Sequence, residues 1–213
     1  MPLLSSLNLS VRWAAVAALS VFVGCATTDR DALIYPDADR VEVVSAVVET
    51  APVASSNDAA DDPAIWINQK SVSESRIFGT DKQSGIAVYD LSGRLLEFTP
   101  AGRPNNIDIR QNLTSPAGRV DVAGFSERET DGVGWLSIGD EGTTKLVSIL
   151  PTDSPEPYGF CLGVTAGELV AYVTYKKGLI EQYQVDLADE FAMSLSDSYQ
   201  FDSQLEGCVQ DDQ

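Results

Sequence analysis

No histidine occurs anywhere in the 213 residues. A Ser-His-Asp triad is therefore excluded, as are the His-rich zinc sites, phosphatases that form a phospho-histidine, and dinuclear centres that lean on imidazole. Cations are scarce as well: 14 Lys and Arg stand against 32 Asp and Glu, for a formal net charge of −18. No basic stripe is present, which argues against a nucleic-acid partner. The same imbalance argues against simple attraction of an anionic substrate, which would need bound cations to reverse the local field. The three cysteines sit in no metal-binding or redox spacing, so a thiolate centre is not indicated either.

What is present is an ordinary globular share of apolar residues, 44%, enough to bury a core. With no imidazole and many carboxylates, a bound metal would be hard and held by oxygen, meaning calcium or magnesium. The plainer reading, that the acids solubilise the surface, holds for most of them.

The N-terminus reads as a targeting segment. Arg12 supplies the positive charge and Trp13 to Gly24 is a run of apolar and small residues. At about 12 residues it is too short to span a bilayer well. It ends in Phe22-Val23-Gly24-Cys25, which resembles a lipoprotein signal in which Cys25 becomes lipidated; ordinary cleavage is the alternative. Residues 1–24 are accordingly expected to be a signal peptide, 25–42 a tether and 43–213 the folded domain. Cys161 and Cys208 could pair in an oxidising compartment, but two free, half-buried thiols are the expectation here.

From Val41 onward short runs rich in β-branched and aromatic residues alternate with Gly, Pro, Asp and Ser. Thirteen strands are expected: Val41–Val48, Ala64–Ile67, Ile77–Thr80, Ile86–Asp90, Leu95–Thr99, Asn106–Arg110, Val120–Ser126, Gly134–Ile138, Lys145–Leu150, Tyr158–Val164, Leu169–Tyr175, Leu179–Val185 and Ser198–Asp202. Leu91-Ser92-Gly93-Arg94 reads as a tight turn, and only Leu187 to Met193 is ambiguous towards helix. So many closely spaced strands imply an all-β sandwich, barrel or propeller. A faint echo between Ser84–Leu91 and Lys177–Gln184, with Lys145–Leu150 as the matching strand between them, implies a repeat on the order of 50 residues. That suits a four-stranded propeller blade, and roughly three to four blades fit the chain, whereas closed propellers need about 4–8. The final stretch, Glu206 to Gln213, closes no strand, so the chain reads as a fragment.

Several loops hold chemistry-bearing residues. Asp58, Asp61 and Asp62 precede Pro63 and an apolar strand, a pattern open to calcium or to plain Asp-stabilised turns. Cations stand at strand ends: Lys82 in Thr80–Gly85, Arg128 in Ser126–Glu129, and Lys176-Lys177 after Tyr175. Leaving strands towards one face, they could grip phosphate, Arg through its fork and Lys as a point charge. A lone cation at a strand end is more often merely solvated.

The order and spacing of these pieces resemble the β-propeller phytases, from about Val41 to Gln213. The resemblance is carried by Asp61-Asp62-Pro63-Ala64-Ile65-Trp66, Ser84-Gly85-Ile86-Ala87-Val88-Tyr89, Asn105-Asn106-Ile107-Asp108-Ile109-Arg110, Tyr158-Gly159-Phe160, Glu181-Gln182-Tyr183, and Glu206-Gly207 with Asp211-Asp212. It implies a six-bladed propeller in the full enzyme, Ca²⁺ as cofactor, and myo-inositol hexakisphosphate (phytate) held as its calcium complex. In that family a calcium-bridging water attacks phosphorus. By position, Lys82, Arg128 and Lys176 match the phosphate-gripping cations. Tyr158 matches an active-site tyrosine that hydrogen-bonds and serves a calcium site. Glu206 matches a calcium carboxylate. Asp61 and Asp62 match calcium ligands, with the carbonyls of Pro63 and Ile107 assisting. Asn106 and Asp108 fall in a matching loop.

Two positions depart from the family pattern: Gln83 stands where a second Lys is common, and Lys177 where a carboxylate is common. The resemblance further implies a protein that is monomeric when complete, and a fragment inactive alone. The lipobox implies anchoring to a membrane through Cys25, in the outer membrane or periplasm, or secretion. Two other readings compete: a non-catalytic, lipid-anchored propeller serving as a binding platform, and a different metal-dependent hydrolase on the same scaffold.

Overall fold

The computed structural model describes residues 44–212. The expected signal peptide, the lipidation site Cys25 and the tether lie outside the described residues. The chain divides by compactness into Met1–Ser45 and Ala46–Gln213, and among the described residues every strand belongs to the second unit.

Twelve strands form, and apart from one short 3-10 turn at Val72–Glu74 no helix does among the described residues. They are β1 (Ala60–Trp66), β2 (Arg76–Asp81), β3 (Gly85–Tyr89), β4 (Leu95–Pro100), β5 (Pro104–Ser115), β6 (Gly118–Glu127), β7 (Gly132–Ile138), β8 (Thr144–Pro151), β9 (Gly159–Thr165), β10 (Glu168–Thr174), β11 (Leu179–Asp186) and β12 (Ala192–Gln200). Each consecutive set of four makes one antiparallel sheet in chain order. The first strands adjoin, β1 beside β5 and β5 beside β9. These are three successive propeller blades, each a meander whose first strand lies innermost.

Alternation along the strands builds the core. In the second blade Ala123, Phe125, Leu136 and Ile138 face the first blade, joining Trp66, Phe78, Ile86 and Val88. Val122, Val133 and Trp135 face the third, joining Phe160, Leu162, Val173 and Tyr183. One residue's step sends a side chain to the opposite blade. Trp135 packs edge-on against Phe160, with centroids 6.1 Å apart. Room for such rings comes from glycine directly across the ladder, since Gly124 pairs with Trp135 and Gly134 with Phe125. A Cβ on Gly134 would lie 2.0 Å from the Phe125 ring.

Several expectations change. Val44–Val48 form no strand and are exposed, while 41–43 lie outside the described residues. Leu187–Met193 is not helical: the Asp186 carboxylate accepts from the Ala188 N–H at 2.8 Å, and Glu190 and Phe191 take positive φ. That local turn, which short Asp side chains favour, lets the last strand start at Ala192 rather than Ser198. The internal echo does join equivalent strands, β3 and β11, each the third of its blade. Its middle member is β7, not Lys145–Leu150, which lies in β8. These third strands begin at Gly85, Gly132 and Leu179, 47 residues apart each time.

The two thiols are not free. Cys161 on β9 and Cys208 form a disulfide with Cα atoms 5.6 Å apart. The expectation of free thiols failed because 47 residues separate them in sequence, and only the stacking of the Glu206–Asp212 segment on β9 brings them together. That segment repeats the previous seam. The Ser126 hydroxyl donates to the Tyr158 carbonyl at 2.7 Å, and in the next blade the Thr174 hydroxyl donates to the Glu206 carbonyl.

Candidate active site

In every blade the turn between the second and third strands opens on the same kind of position: 81–85, 127–132 and 174–179. A buried carboxylate underpins each. Asp81 accepts from the N–H groups of Ser55 and Gln83. Glu127 accepts from the N–H groups of Arg103, Glu129 and Thr130, each at 2.8 Å, and from the Thr130 hydroxyl at 2.6 Å. Glu181 accepts from the hydroxyls of Tyr175 and Tyr183. Burial pushes all three acids up, yet these hydrogen bonds outweigh it and leave each below its ordinary range.

The turns so fixed carry the cations. Lys82 follows β2 directly, Arg128 follows β6 directly, and Lys176 lies two residues past β10. Lys82 Nζ is paired with Asp58 Oδ1 at 2.8 Å and Asp61 Oδ1 at 3.1 Å, and the hydrogen bond to Asp58 leads in holding its pKa up. Arg128 keeps a buried Nε with no hydrogen-bond partner. Lys176 Nζ stands 4.2 Å from the Tyr158 ring centroid and Lys177 Nζ 5.3 Å from that of Tyr175.

Two clefts adjoin there. One, of about 290 Å³, is lined by Arg103, Arg128, Tyr158, Lys176 and Lys177, with Asp131 and Glu156 among its other walls. The other, of about 430 Å³, is lined by Asp58, Lys82, Gln83, Arg103 and Arg128. Arg103 and Arg128 are common to both. The Tyr158 phenol is raised first by its hydrogen bond to Glu206, then by burial and by the charges of Glu206 and Asp61, with Lys82 opposing. Lys82, Arg128, Tyr158 and Lys176 thus line the two adjoining clefts, while Glu206 lines neither and joins them through Tyr158.

The expected metal ligands are less gathered. Asp61 is engaged by Lys82. Asp62 Oδ2 accepts from the Ile107 N–H at 2.9 Å, and its pKa is raised, by burial first and by the charges of Asp61 and Asp108, against hydrogen bonds from Ile107 and Asn106. Ile107 therefore meets Asp62 through its N–H, and Pro63 lies opposite Gly79 in the first sheet. Among the described residues no three His, Cys, Asp or Glu side chains converge as a cation site. The donors at hand still suit a hard cation. They are carboxylate and phenol oxygens, and Asp62 carries a half-buried charge that lacks a counter-ion.

Sequence reasoning did not single out Arg103, the common wall of both clefts, nor Asp131 and Glu156. Arg103 is a cation immediately ahead of Pro104-Asn105-Asn106, a position as conspicuous as those of Lys82 and Arg128. Of the three supporting carboxylates, Glu181 stood in a segment singled out in the sequence, while Asp81 and Glu127 gave no comparable signal, because an acid at a strand end looks the same whether exposed or buried.

A profile of the phytase family matches residues 10–213. A 3-phytase of Bacillus subtilis (strain 168) is 37% identical over 182 residues, 80% of this chain and 47% of that protein. The chain spans about half the length of this curated relative. Among solved structures, the periplasmic gluconolactonase PpgL of Pseudomonas aeruginosa shows a TM-score of 0.45 and 17% identity, over 66% of this chain and 40% of that one.

Proposed function

We propose, from the premise that this chain belongs to the phytase family, that it carries the phosphate-gripping cations of a calcium-dependent phosphomonoesterase acting on phytate. The observation that supports this most is the delivery of Lys82, Arg128 and Lys176 by equivalent turns of three successive blades onto two adjoining clefts beside Tyr158 and Glu206.

Lys82 and Lys176 serve as point charges for phosphoryl oxygens, and Arg128 offers a fork whose Nε has no protein partner. The cation-π contact with Tyr158 steers Lys176 along the cleft wall. Asp61, Asp62, Tyr158 and Glu206, with the carbonyls of Pro63 and Ile107, are the groups that would hold calcium. When bound, calcium supplies Lewis acidity and the positive charge that a −18 protein needs near a polyanion. The buried carboxylates Asp81, Glu127 and Glu181 keep the loops in place, so the cations are positioned before substrate arrives.

Six blades are proposed for the whole protein, monomeric when complete, and the chain alone is expected to turn phytate over poorly. The proposed location is an exported one, with a lipid on Cys25 in the outer membrane or periplasm, or secretion. The Cys161–Cys208 disulfide suits such an oxidising compartment. Cys25→Ser should then move the protein from the membrane fraction to the soluble one.

Calorimetry of phytate binding to the chain, with calcium and with excess chelator, tests the proposal. Binding is expected only with calcium. Lys82→Ala, Arg128→Ala and Lys176→Ala should each weaken it at least about tenfold, the loss of one charge-assisted contact. Binding that ignores the chelator, or all three substitutions, would overturn the assignment.

A further inference from the structure

One residue stands directly ahead of the inner strand in each blade: Ala59 before β1, Arg103 before β5 and Tyr158 before β9. In the first two blades its carbonyl accepts from the cation that follows the second strand. Lys82 N–H donates to Ala59 at 2.8 Å, and Arg128 N–H donates to Arg103 at 3.1 Å. Arg103 thus stands in the second blade where Tyr158 stands in the third.

The local sequence fixes it there. Pro104 confines the residue before it to extended backbone. Gly102 takes a φ of +68°, and a Cβ on it would lie 2.5 Å from Glu127 Oε1. The bare glycine lets the Arg103 N–H reach that same oxygen at 2.8 Å. Glu127 is fully buried and also accepts from the N–H groups of Glu129 and Thr130, just past Arg128. One carboxylate therefore holds the backbone on both sides of the arginine pair.

The guanidinium itself is left to the clefts. Among the described residues the exposed Arg103 side chain makes no hydrogen bond or ion pair, in a chain where 32 acids stand against 14 cations. It shares the walls of the 290 Å³ cleft with Arg128, Lys176 and Lys177, and those of the 430 Å³ cleft with Arg128 and Lys82. Of the two acids beside the first cleft, Asp131 is engaged by the Glu156 N–H at 2.9 Å. Cations gathered this way repel one another and would repel calcium too, whereas phosphoryl oxygens relieve them.

We infer that Arg103 is a further phosphoryl-binding residue, placed beside Arg128 on the wall between the two clefts. Its fork offers paired N–H donors to phosphoryl oxygens, which a lysine would not. The inference rests on the phytase reading for phytate as the ligand, but not for whether Arg103 holds a phosphoryl group.

Calorimetry of the 213-residue chain with calcium present, using phytate as the probe, tests it. Arg103→Ala is expected to weaken binding at least about tenfold. Arg103→Lys should recover part of the loss, restoring the charge without the fork. The melting temperature of Arg103→Ala should match wild type, because the side chain bonds to nothing in the protein. Arg119→Ala, in a separate cleft beside Trp66 and Asp121, should leave phytate affinity unchanged.

Arg103→Ala binding phytate within about twofold of wild type would overturn the inference. An equal loss from Arg119→Ala would overturn it as well, by reducing the effect to net charge. If wild type binds no phytate, the phytase reading fails, and NMR of the arginine Nε–H signals under excess inorganic phosphate without calcium decides the inference instead. Saturable movement of the Arg103 and Arg128 signals together supports it; an unmoved Arg103 signal overturns it.

Discussion

At the seam between the first two blades Asp62 reaches the Ile107 N–H at 2.9 Å; at the next seam Asp108 reaches the Leu162 N–H, also at 2.9 Å. The carboxylates are 46 positions apart and bridge neighbouring inner strands in the same way. Their electrostatic company differs. Asp108 holds Arg110 Nη1 at 3.0 and 2.9 Å, and Arg110 extends to Asp212 and to the Leu162 carbonyl. Asp62 has no such cation, and Asp61 and Asp108 add negative charge around it. A buried carboxylate without a counter-charge is expensive, so the first seam is where a divalent cation has something to offset, and the second is already neutralised by protein. The contrast separates a structural aspartate from a candidate ligand on grounds that the sequence motif, Asp in both cases, does not offer.

Removing Arg110 should have the largest effect. Arg110→Ala strips Asp108 and Asp212 of their shared cation, and the loss is expected to be about 3 kcal/mol, since the half-buried guanidinium also gives up its charge-assisted bonds to Asp108 and the Leu162 carbonyl. Urea unfolding of the chain measures it; a loss below about 1 kcal/mol, typical of an exposed pair, would make the second seam no better neutralised than the first.

Asp108→Asn keeps an acceptor for the Leu162 N–H but weakens the hold on Arg110, for an expected cost of about 2 kcal/mol. Ser126→Ala removes the hydroxyl that accepts from the Asn106 N–H at 3.2 Å and donates to the Tyr158 carbonyl at 2.7 Å. About 1 kcal/mol is expected, seen as a lower melting temperature, and no change there would show that the hydroxyl does not tie the blades.

The smallest effect has the opposite sign. The raised pKa of Asp62, caused first by burial, means that its folded-state value exceeds the unfolded one. Its favourable contribution is therefore complete below the ordinary aspartate value of 3.8 and is lost as pH rises through the folded value. At neutral pH and without calcium, Asp62→Asn should raise the melting temperature slightly, and the gain over wild type should vanish in acid. Calcium should reverse the order by stabilising wild type alone. If Asp62→Asn destabilises the chelated chain at neutral pH, the two seams are alike and the comparison fails.

The strands were largely legible because their signal is local. β3, Gly85–Tyr89, and β11, Leu179–Asp186, announce themselves through β-branched and aromatic residues bounded by turn formers. β12 was displaced by six residues because the turn before it is set by one Asp side chain and two positive-φ residues, features invisible to alternation. The cleft cations were legible for a similar reason: Lys82 and Arg128 each stand directly after a strand, and a strand end fixes which way the following residue leaves the sheet. Arg103 was overlooked because it precedes its strand, β5, and reaches the clefts from the loop before it.

The all-β class, the blade-length repeat and the family could be read from the chain alone, because each rests on local pattern and short segments. The fold was needed to show which blades' third strands correspond, that Cys161 meets Cys208, and that Arg110 is shared between Asp108 and the distant Asp212. Backbone pattern depends on neighbours a few residues away. The disulfide partner, and the Asp212 that shares Arg110, lie far along the chain and meet their partners only when the segment after β12 stacks on the inner strand β9.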